Sequence, residues 1–365
     1  MAPDAIALAK FACPACGGEA IWNPERQQLV CPYCGTASDA APGKAGGVIV
    51  EHDLVAALAR ADGAGGGWQD AKREVLCRSC NAISVLDPAR QAQQCAFCGA
   101  AQLVPYESDR AAFTPESVLP LRIAETQARD AIRAWFGRLW LAPGALKRRA
   151  LTDTTRGAYL PYWTFDAAVR AEWSADAGRY YTTTETVMVN GRPETRAVRH
   201  VRWEPVSGSL EHCFDDDLVC ASVGVHPALL RGVEPFPTAE LEPYAPGYVA
   251  GWVVERYQID LPAAAQRARD AMDAKVEVLC AGQVPGDTYR NLVVHADYAG
   301  QTFKHMLAPV WLVRYTYGAR TFQCVMNGVT GAIRGEYPKS PWKIAFLVLL
   351  AVITVLVIMM LGGKT

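Results

Sequence analysis

Eight of the twelve cysteines in this chain of 365 residues repeat one spacing twice, and this repeat constrains the fold more than any other feature. Each copy reads Cys-x2-Cys, fourteen intervening residues and Cys-x2-Cys. The two copies are Cys13, Cys16, Cys31 and Cys34, and then Cys77, Cys80, Cys95 and Cys98. Two residues between cysteines let a tight turn aim both sulfurs at one ion. The spacing therefore predicts two tetrahedral four-cysteine zinc sites of the ribbon type.

The residues that follow each cysteine pair fit this prediction. Gly17, Gly35 and Gly99 permit a close approach of the backbone, and Asn81, which tolerates the left-handed conformation, takes the fourth such place. A ribbon of about 25 residues buries too little apolar surface to fold alone, so metal binding supplies its folding free energy. Four cysteine ligands leave no open coordination position, which makes both ions structural. Iron in a rubredoxin-like site is the alternative metal, and disulfides are disfavoured because the spacing is typical of metal sites.

The cysteine repeat also predicts the organisation of the N-terminal part of the chain. Zinc ribbon 1 is expected over residues 8–38 and zinc ribbon 2 over residues 72–104. The segment between them, residues 39–71, is rich in Gly and Ala on either side of a short apolar pattern near residues 53–60. This composition predicts a linker that contains one short helix.

The middle of the chain carries a fainter duplication. The motif Ala-Arg-Asp-Ala occurs in two helical patterns, predicted over residues 123–141 and 262–281. Each pattern is followed by an apolar, aromatic strand that contains Pro-x-Trp. We therefore expect an α+β fold whose middle part is a duplicated helix-plus-antiparallel-sheet domain, with units at residues 115–255 and 256–338.

The C-terminal end carries a continuous apolar run. Residues 344–361 contain no charged side chain, and as a helix they would extend about 27 Å, close to the ~30 Å of a bilayer core. A transmembrane helix is therefore expected over residues 343–361, with the lipid bilayer as partner. Basic residues prevail on the N-terminal flank, and residues 1–10 do not resemble a signal peptide. These features predict a tail-anchored, single-pass protein of the bacterial inner membrane with its N-terminal domains in the cytoplasm.

The search for catalytic motifs gives no candidate. The sequence has no phosphate-binding P-loop, no Gly-x-Ser-x-Gly elbow and no His-Glu-x-x-His pair. The acidic run at residues 215–217 is interpreted as a solvated loop. The remaining cysteines are interpreted as buried small apolar residues: Cys213, Cys220, Cys280 and Cys324. A metal site that uses His212, Cys213, Cys220 and His226 stays as the alternative.

Charge bears on a role in nucleic-acid binding. Residues 1–100 contain 8 Lys and Arg against 10 Asp and Glu, a net charge of −2. Nucleic-acid binding depends on the neutralisation of phosphates, so an acidic pair of ribbons disfavours that role. The one dense basic patch is Lys147, Arg148 and Arg149, which is either a solvated surface or a contact for anionic lipid or nucleic acid.

Several longer motifs, taken together, resemble one bacterial family. They are Phe11-Ala-Cys-Pro-Ala-Cys-Gly17, Pro161-Tyr-Trp-Thr-Phe-Asp166, Val284-Pro-Gly-Asp-Thr-Tyr-Arg290, Gly300-Gln-Thr-Phe-Lys304, Asn327-Gly-Val-Thr-Gly331 and Ser340-Pro-Trp-Lys343. With the cysteine repeat, they are similar to membrane-anchored proteins that carry two TFIIB-type zinc ribbons. Members often bear the label primosomal protein N′ or superfamily II helicase, although the phosphate loop of a helicase motor is absent here. The resemblance implies partners among SPFH-type and membrane-stress proteins.

These observations lead to one functional expectation and one alternative. Closed metal sites, an anchor and the absence of catalytic motifs predict a non-enzymatic adaptor or scaffold, with two structural Zn²⁺ ions, in an assembly at the cytoplasmic face of the membrane. The alternative is a membrane-tethered accessory protein that binds nucleic acid or serves replication.

Overall fold

The computed structural model describes residues 11–38, 47–59, 73–86, 94–106, 113–144, 155–189, 192–318 and 320–362. The helices are α1 (Leu54–Ala59), α2 (Glu125–Arg138), α3 (Pro227–Leu230), α4 (Leu261–Gln283) and α5 (Pro341–Gly362), with short 3-10 helices at Thr238–Glu240 and Pro246–Val249. The strands are β1 (Phe11–Ala12), β2 (Glu19–Asn23), β3 (Gln28–Val30), β4 (His52–Asp53), β5 (Arg73–Cys77), β6 (Ile83–Leu86), β7 (Leu103–Pro105), β8 (Ser117–Val118), β9 (Thr155–Val189), β10 (Arg192–Cys220), β11 (Glu242–Pro243), β12 (Val253–Glu255), β13 (Thr288–Tyr317), β14 (Arg320–Asn327) and β15 (Ile333–Gly335).

Two sheets contain these strands. Strands β1, β2 and β3 form a small three-stranded sheet, and in the described part of the chain the other twelve strands form one large mixed sheet. Its path runs β11-β8-β13-β9-β12-β6-β5-β7, and β10, β14, β15 and β4 pair at its sides. Most neighbours are antiparallel, but β9 pairs β12 in parallel and β13 pairs β8 in parallel. The second cysteine frame, on β5 to β7, therefore lies inside the large sheet.

The two longest strands form the centre of the fold. Strand β9 pairs antiparallel with β13 from Gly178↔Thr288 to Thr155↔Val313, and on its other side with β10 from Val189↔Arg192 to Tyr162↔Cys220. The strand order β10–β9–β13 makes a three-stranded arm. Because β13 begins at Thr288, opposite Gly178, the last eleven residue pairs of the hairpin, 179–189 with 192–202, extend beyond the third strand. We call these residues the hairpin tip.

Side chains alternate across the central strands, so each face of the sheet has its own cover. Helices α2 and α4 pack on one face, against Tyr159, Trp163 and Trp311 among others. The apolar stripe of α4 recurs every three or four residues, as expected for a helix with one buried side: Leu261, Ala264, Ala268, Met272, Val276 and Cys280. On the opposite face, Leu160 and Tyr162 pack with the cysteines of ribbon 2.

The predicted duplicated fold is wrong at the level of architecture. The two expected helices are present as α2 and α4, and each precedes a long strand. The strands do not form two separate helix-plus-sheet units at 115–255 and 256–338, because β9 and β13 pair with each other along most of their lengths. Both strands bear apolar side chains on both faces near Tyr159 and Trp311, and this pairing buries them. The result is a single mixed sheet with few helices.

The predicted membrane-spanning helix is wrong as well. Helix α5 begins at Pro341, but no helix in the part of the chain that the structure describes is long and apolar enough to cross a membrane. The tail anchor and the inner-membrane location are corrected accordingly. The bilayer as partner of residues 343–361 stays a prediction.

The first turn of α5 is attached to the body of the protein. The ammonium group of Lys343 donates hydrogen bonds to the carbonyl oxygens of Trp140, at 2.6 Å, and Ala142, at 2.9 Å. The Ser340 amide donates to the carbonyl of Leu141 at 2.8 Å. Lys343, which was expected to flank a membrane span, is therefore part of a contact between α5 and the segment that follows α2.

Candidate metal centres

One backbone geometry occurs at all four cysteine pairs. In each, the amide of the residue after the second cysteine donates to the carbonyl of the first cysteine, at 2.8–2.9 Å. That residue has a positive φ in every case: 71° at Gly17, 73° at Gly35, 58° at Asn81 and 71° at Gly99. The turn also returns the chain so that the first cysteine's amide donates to the carbonyl five residues ahead, as in Cys31 to Thr36. Glycine or asparagine is required there because other side chains strain in this conformation.

The turns bring the predicted ligands together in two groups. In each cluster the four sulfurs lie within 4.8 Å of one another. The two hydrogen-bonded sulfur pairs of ribbon 1 are each 3.5 Å apart. In ribbon 2 the Cys77–Cys98 distance is 3.3 Å and the Cys80–Cys95 distance is 3.7 Å. A zinc ion with Zn–S bonds of about 2.3 Å requires sulfurs about 3.8 Å apart, whereas a disulfide requires about 2.05 Å.

Both groups of sulfurs can hold a metal ion, and their size and all-thiolate chemistry are consistent with zinc. All eight cysteines are free of disulfide bonds. A four-coordinate ion held by four thiolates has no site for water or substrate. The arrangement can therefore fix the fold of each ribbon, and zinc as the ion in it stays a prediction.

Without a metal, neighbouring thiols in each cluster form hydrogen bonds with one another, and these bonds shift their pKa values. In ribbon 2, the hydrogen bond from the Cys80 thiol lowers the pKa of Cys95 to about 5, and the same bond raises the pKa of Cys80. In ribbon 1, hydrogen bonds with the side chain and backbone of Thr36 lower the pKa of Cys34 to about 6. A thiolate is thus favoured in each group at neutral pH, and a divalent cation stabilises the other three against protonation.

The two clusters differ sharply in exposure. In ribbon 1, Cys13 and Cys31 are buried, but Cys16 and Cys34 are exposed at the surface. In ribbon 2, Cys77, Cys95 and Cys98 are buried and Cys80 is partly buried. The metal end of ribbon 1 therefore faces solvent, and that of ribbon 2 faces the core.

Ribbon 1 is attached to the body through its hairpin. The Trp22 side chain is 2% exposed, and its indole N–H donates to the carbonyl of Leu121 at 3.0 Å. Its ring meets the Tyr248 ring edge-on with centroids 4.9 Å apart. The Trp22 amide donates to the carbonyl of Ala250, and the Trp252 indole donates back to the Trp22 carbonyl at 3.2 Å. These contacts fix ribbon 1 against the segment at Pro246–Val249 and leave its cysteine turns outside.

Ribbon 2 is continuous with the core. Strand β6 pairs antiparallel with β12, and Phe97, which lies between Cys95 and Cys98, is 1% exposed. Phe97 belongs to the same apolar cluster as Leu160 and Tyr162 of the central strand. An ion pair between Arg256 and Glu74 joins β5 to the segment after β12. A metal ion in ribbon 2 would therefore stabilise the strands that cover one side of the main core.

A separate group of three acidic residues is paired with a lysine of the same chain. Glu51, Asp166 and Asp216 lie together, and the ammonium group of Lys304 is 2.9 Å from the Glu51 carboxylate and 2.5 Å from that of Asp216. The side chain of Thr302 also donates to Asp166 at 2.8 Å. Lys304 is 5% exposed, and the two carboxylates raise its pKa even though burial opposes the charge. We regard this group as a structural ion-pair network.

The solvated loop predicted at residues 215–217 is therefore wrong. Strand β10 continues through it, with a bulge between Phe214 and Asp217. Asp216 has a φ of 54°, and the bulge turns its carboxylate toward Lys304. The sequence showed three adjacent carboxylates but not that Lys304, some ninety residues later, pairs with the middle one, Asp216.

The remaining predicted residues are distributed as follows. Cys280 and Cys324 are fully buried, as expected of small apolar residues, whereas Cys213 is exposed and Cys220 partly buried. Among the described residues, the groups able to hold a metal do not include His212, Cys213, Cys220 and His226. Lys147, Arg148 and Arg149 lie outside the described residues, so the basic patch stays a prediction.

One exposed aromatic residue that sequence reasoning did not single out is Tyr33. It occupies the same position in ribbon 1 as Phe97 does in ribbon 2, 64 residues later, and its side chain is 80% exposed. The offset of the repeat pairs these two aromatic residues. Their opposite surroundings could not be predicted, because burial of Phe97 depends on distant strands.

The comparisons with known proteins find a similarity of low identity that extends over nearly the whole chain. The chain is 24% identical over 341 residues to the uncharacterized protein YdjG of Bacillus subtilis (strain 168), which covers 93% of this chain and 92% of the relative. No family model matches the chain. No solved structure matches it. The chain is thus similar to YdjG over nearly its whole length, and it has two four-cysteine clusters compatible with zinc ribbons.

Proposed function

We propose that this protein is a non-enzymatic adaptor in which ribbon 2 stabilises the body and ribbon 1 binds a partner protein. The observation that carries the proposal is the contrast between Tyr33 and Phe97. Both lie between the last two cysteines of a ribbon, but Phe97 is 1% exposed and Tyr33 is 80% exposed. Phe97 packs into the core of its own chain, and Tyr33 presents the equivalent aromatic surface to another molecule.

The physical chemistry of Tyr33 suits a docking residue. Tyrosine is enriched at protein interfaces because it buries a large apolar ring and keeps a polar tip. Tyr33 stands on a turn whose backbone is fixed by the Cys31 and Gly35 hydrogen bond, and its ring lies over Gly18, where any Cβ would meet the ring at 2.8 Å. A side chain held in place before binding loses little conformational entropy when a partner arrives.

Charge favours a protein over a nucleic acid as the partner of ribbon 1. Residues 11–38 contain Arg26 as the one basic residue and Glu19 and Glu25 as the acidic ones. Such a surface cannot supply the phosphate contacts on which nucleic-acid affinity depends. SPFH-type and membrane-stress proteins, the partner classes that the family resemblance implies, are the first identities to seek.

Site-specific photo-crosslinking tests this proposal. A photoreactive phenylalanine analogue replaces Tyr33 in the full chain, and the control replaces Trp140, which is 55% exposed in the segment after α2. Both variants are first checked for two metal ions per chain. We expect a defined protein adduct from position 33 that survives nuclease treatment and is absent from position 140.

Two outcomes would contradict the adaptor role. One is the absence of any protein adduct at position 33 in cells that contain the native partner set. The other is an adduct that disappears on nuclease treatment, which would favour the alternative of a nucleic-acid or replication accessory protein. The variant Tyr33→Ser gives a further check, since it should abolish partner binding and leave the metal content unchanged.

A further inference from the structure

The hairpin tip is a basic, unsupported extension of the arm. Between residues 179 and 203 the chain has five arginines and two glutamates. Among the described side chains, Arg196 and Arg199 are exposed, and so are Tyr180 and Tyr181, at 42% and 44%. In the described part of the chain, the tip strands pair only with each other. Two-stranded hairpins are marginally stable in water, so contact with another molecule would stabilise one of this length, about 37 Å.

The arginines of the tip keep their guanidinium groups at the surface. The Arg199 guanidinium lies over the Tyr180 ring at 4.5 Å, and that of Arg202 lies over the Tyr181 ring at 5.7 Å. The Glu185 carboxylate lies 3.6 Å from the His200 ring, and the Asp287 carboxylate accepts a hydrogen bond from the Tyr180 amide at 2.7 Å. Stacked guanidinium groups retain their outward N–H donors for carboxylates.

An acidic groove lies on the same arm, directly before the tip. It has a volume of about 740 Å³ and runs between α4 and residues 292–297 of β13. Its floor is apolar, with Val276, Leu292 and Val294. Its rim carries four carboxylates and two basic groups: Asp270, Asp273, Glu277 and Asp297 against Arg269 and His295.

The rim keeps a negative charge after its internal contacts are counted. Arg269 lies over the Tyr298 ring at 3.5 Å and pairs with Asp273 at 3.4 Å, so one carboxylate is balanced within the rim. Asp270 accepts a hydrogen bond from the uncharged side chain of Gln266. Along this stretch, residues 288–299 of β13 pair with β9 on one side, and no described strand pairs with the other side. The groove is therefore acidic, apolar at its floor and bordered by an open strand edge.

We propose that two copies of this chain associate through their arms, with the basic tip of each lying in the acidic groove of the other. The groove strand lies opposite residues 170–174 of β9 and the tip begins at residue 179, so the two surfaces are consecutive on one arm. When two arms lie side by side and antiparallel, each tip meets the partner's groove at the same time. Such a contact is self-complementary and closes as a two-fold dimer. This association does not depend on the adaptor role of ribbon 1.

Charge exchange in the full chain tests the proposal. The variant R196E/R199E reverses charge at the tip, and D270R/E277R reverses it at the groove. We expect a dimer for the native chain by sedimentation analysis, about tenfold or greater weakening in either double variant, and recovery in the chain that combines all four changes. Raising the ionic strength should also weaken the native dimer, since exposed charge pairs are screened.

The matched control is R133E/R138E, which reverses two exposed arginines of α2 away from the arm. It should sediment as the native chain does. A native chain that is monomeric at all concentrations would overturn the proposal. So would double variants that associate as strongly as the control, or a fourfold variant that remains as weak as its two parents.

Discussion

Ribbon 1 and ribbon 2 share a cysteine spacing and a turn geometry, but they differ in their surroundings. Ribbon 1 forms a small sheet of its own and touches the body mainly through Trp22. Ribbon 2 contributes β5, β6 and β7 to the large sheet and places Phe97 in the main core. The cysteine frame therefore fixes the local fold of each ribbon. The residues around the frame decide whether a ribbon stabilises the body or exposes a surface for binding.

The largest expected effect is on ribbon 2. The change Cys77→Ser removes a buried ligand, so the site loses its metal. The strands of ribbon 2 that cover one side of the core are then destabilised. We expect the free energy of unfolding of the body to fall by about 4 kcal/mol or more. We also expect each chain to lose one metal ion. Cys13→Ser, the matched change in ribbon 1, should also release one metal ion but destabilise the body less, because Trp22 is the main contact of ribbon 1 with the core. Urea unfolding with metal analysis checks both, and equal destabilisation by the two variants would break the comparison.

A slightly smaller effect is expected at the paired aromatic residues. Phe97→Ala leaves a cavity in the core and should cost about 3–5 kcal/mol, whereas Tyr33→Ala, at an exposed position, should change stability by less than about 0.5 kcal/mol. Thermal or urea unfolding of the two variants measures the difference. Similar costs would mean that Tyr33 is also a structural residue and would remove the main support for partner binding.

Acid should act on the body through His305, a group outside both ribbons. Its ring is 1% exposed and lies against Trp163, with centroids 4.9 Å apart, and burial lowers its pKa from 6.5 to about 3. The folded state thus binds fewer protons than the unfolded state below pH 6.5. The stability contributed by neutral His305 is complete above pH 6.5 and declines as the pH falls toward 3. Between pH 6.5 and 5 the loss should be about 2 kcal/mol.

The variant His305→Phe sharpens this expectation, because it removes the titrating group and keeps an aromatic ring in the core. Its free energy of unfolding should fall less steeply from pH 6.5 to pH 5 than that of the native chain, whatever its absolute value. The slope with pH, measured by urea unfolding, is the informative quantity. Parallel slopes would show that His305 does not carry the acid response of the body.

The parts of the structure that the sequence predicted are those with local signals. The cysteine frame brought eight ligands together as expected, since each pair is set by a turn of six residues. Helices α2 and α4 followed from apolar residues at helical intervals, such as Ile132 and Phe136. Both kinds of signal depend on residues that are near one another in the chain.

The parts that were missed depend on distant pairing. Nothing in the local pattern of β9 or β13 says that Tyr159 and Pro309 lie opposite one another, and this pairing turned two expected units into one sheet. The bulge at Asp216 is meaningful only beside Lys304, and the exposure of Tyr33 only by comparison with Phe97. The apolar run of α5 matched a membrane span in composition, but no described helix meets the requirement for one.

Stepwise metal removal, followed by amide hydrogen exchange and native mass spectrometry on one sample, tests most directly whether the two ribbons have different roles in the stability of the body. We expect that the first metal ion lost belongs to exposed ribbon 1, so that amides of residues 11–38 lose protection while β9 and β13 stay protected. Loss of the second ion should then open β5, β6 and the central strands together. If the first loss opened the central strands, or if both ions left in one step with global unfolding, the division between a presenting ribbon and a supporting ribbon would be contradicted.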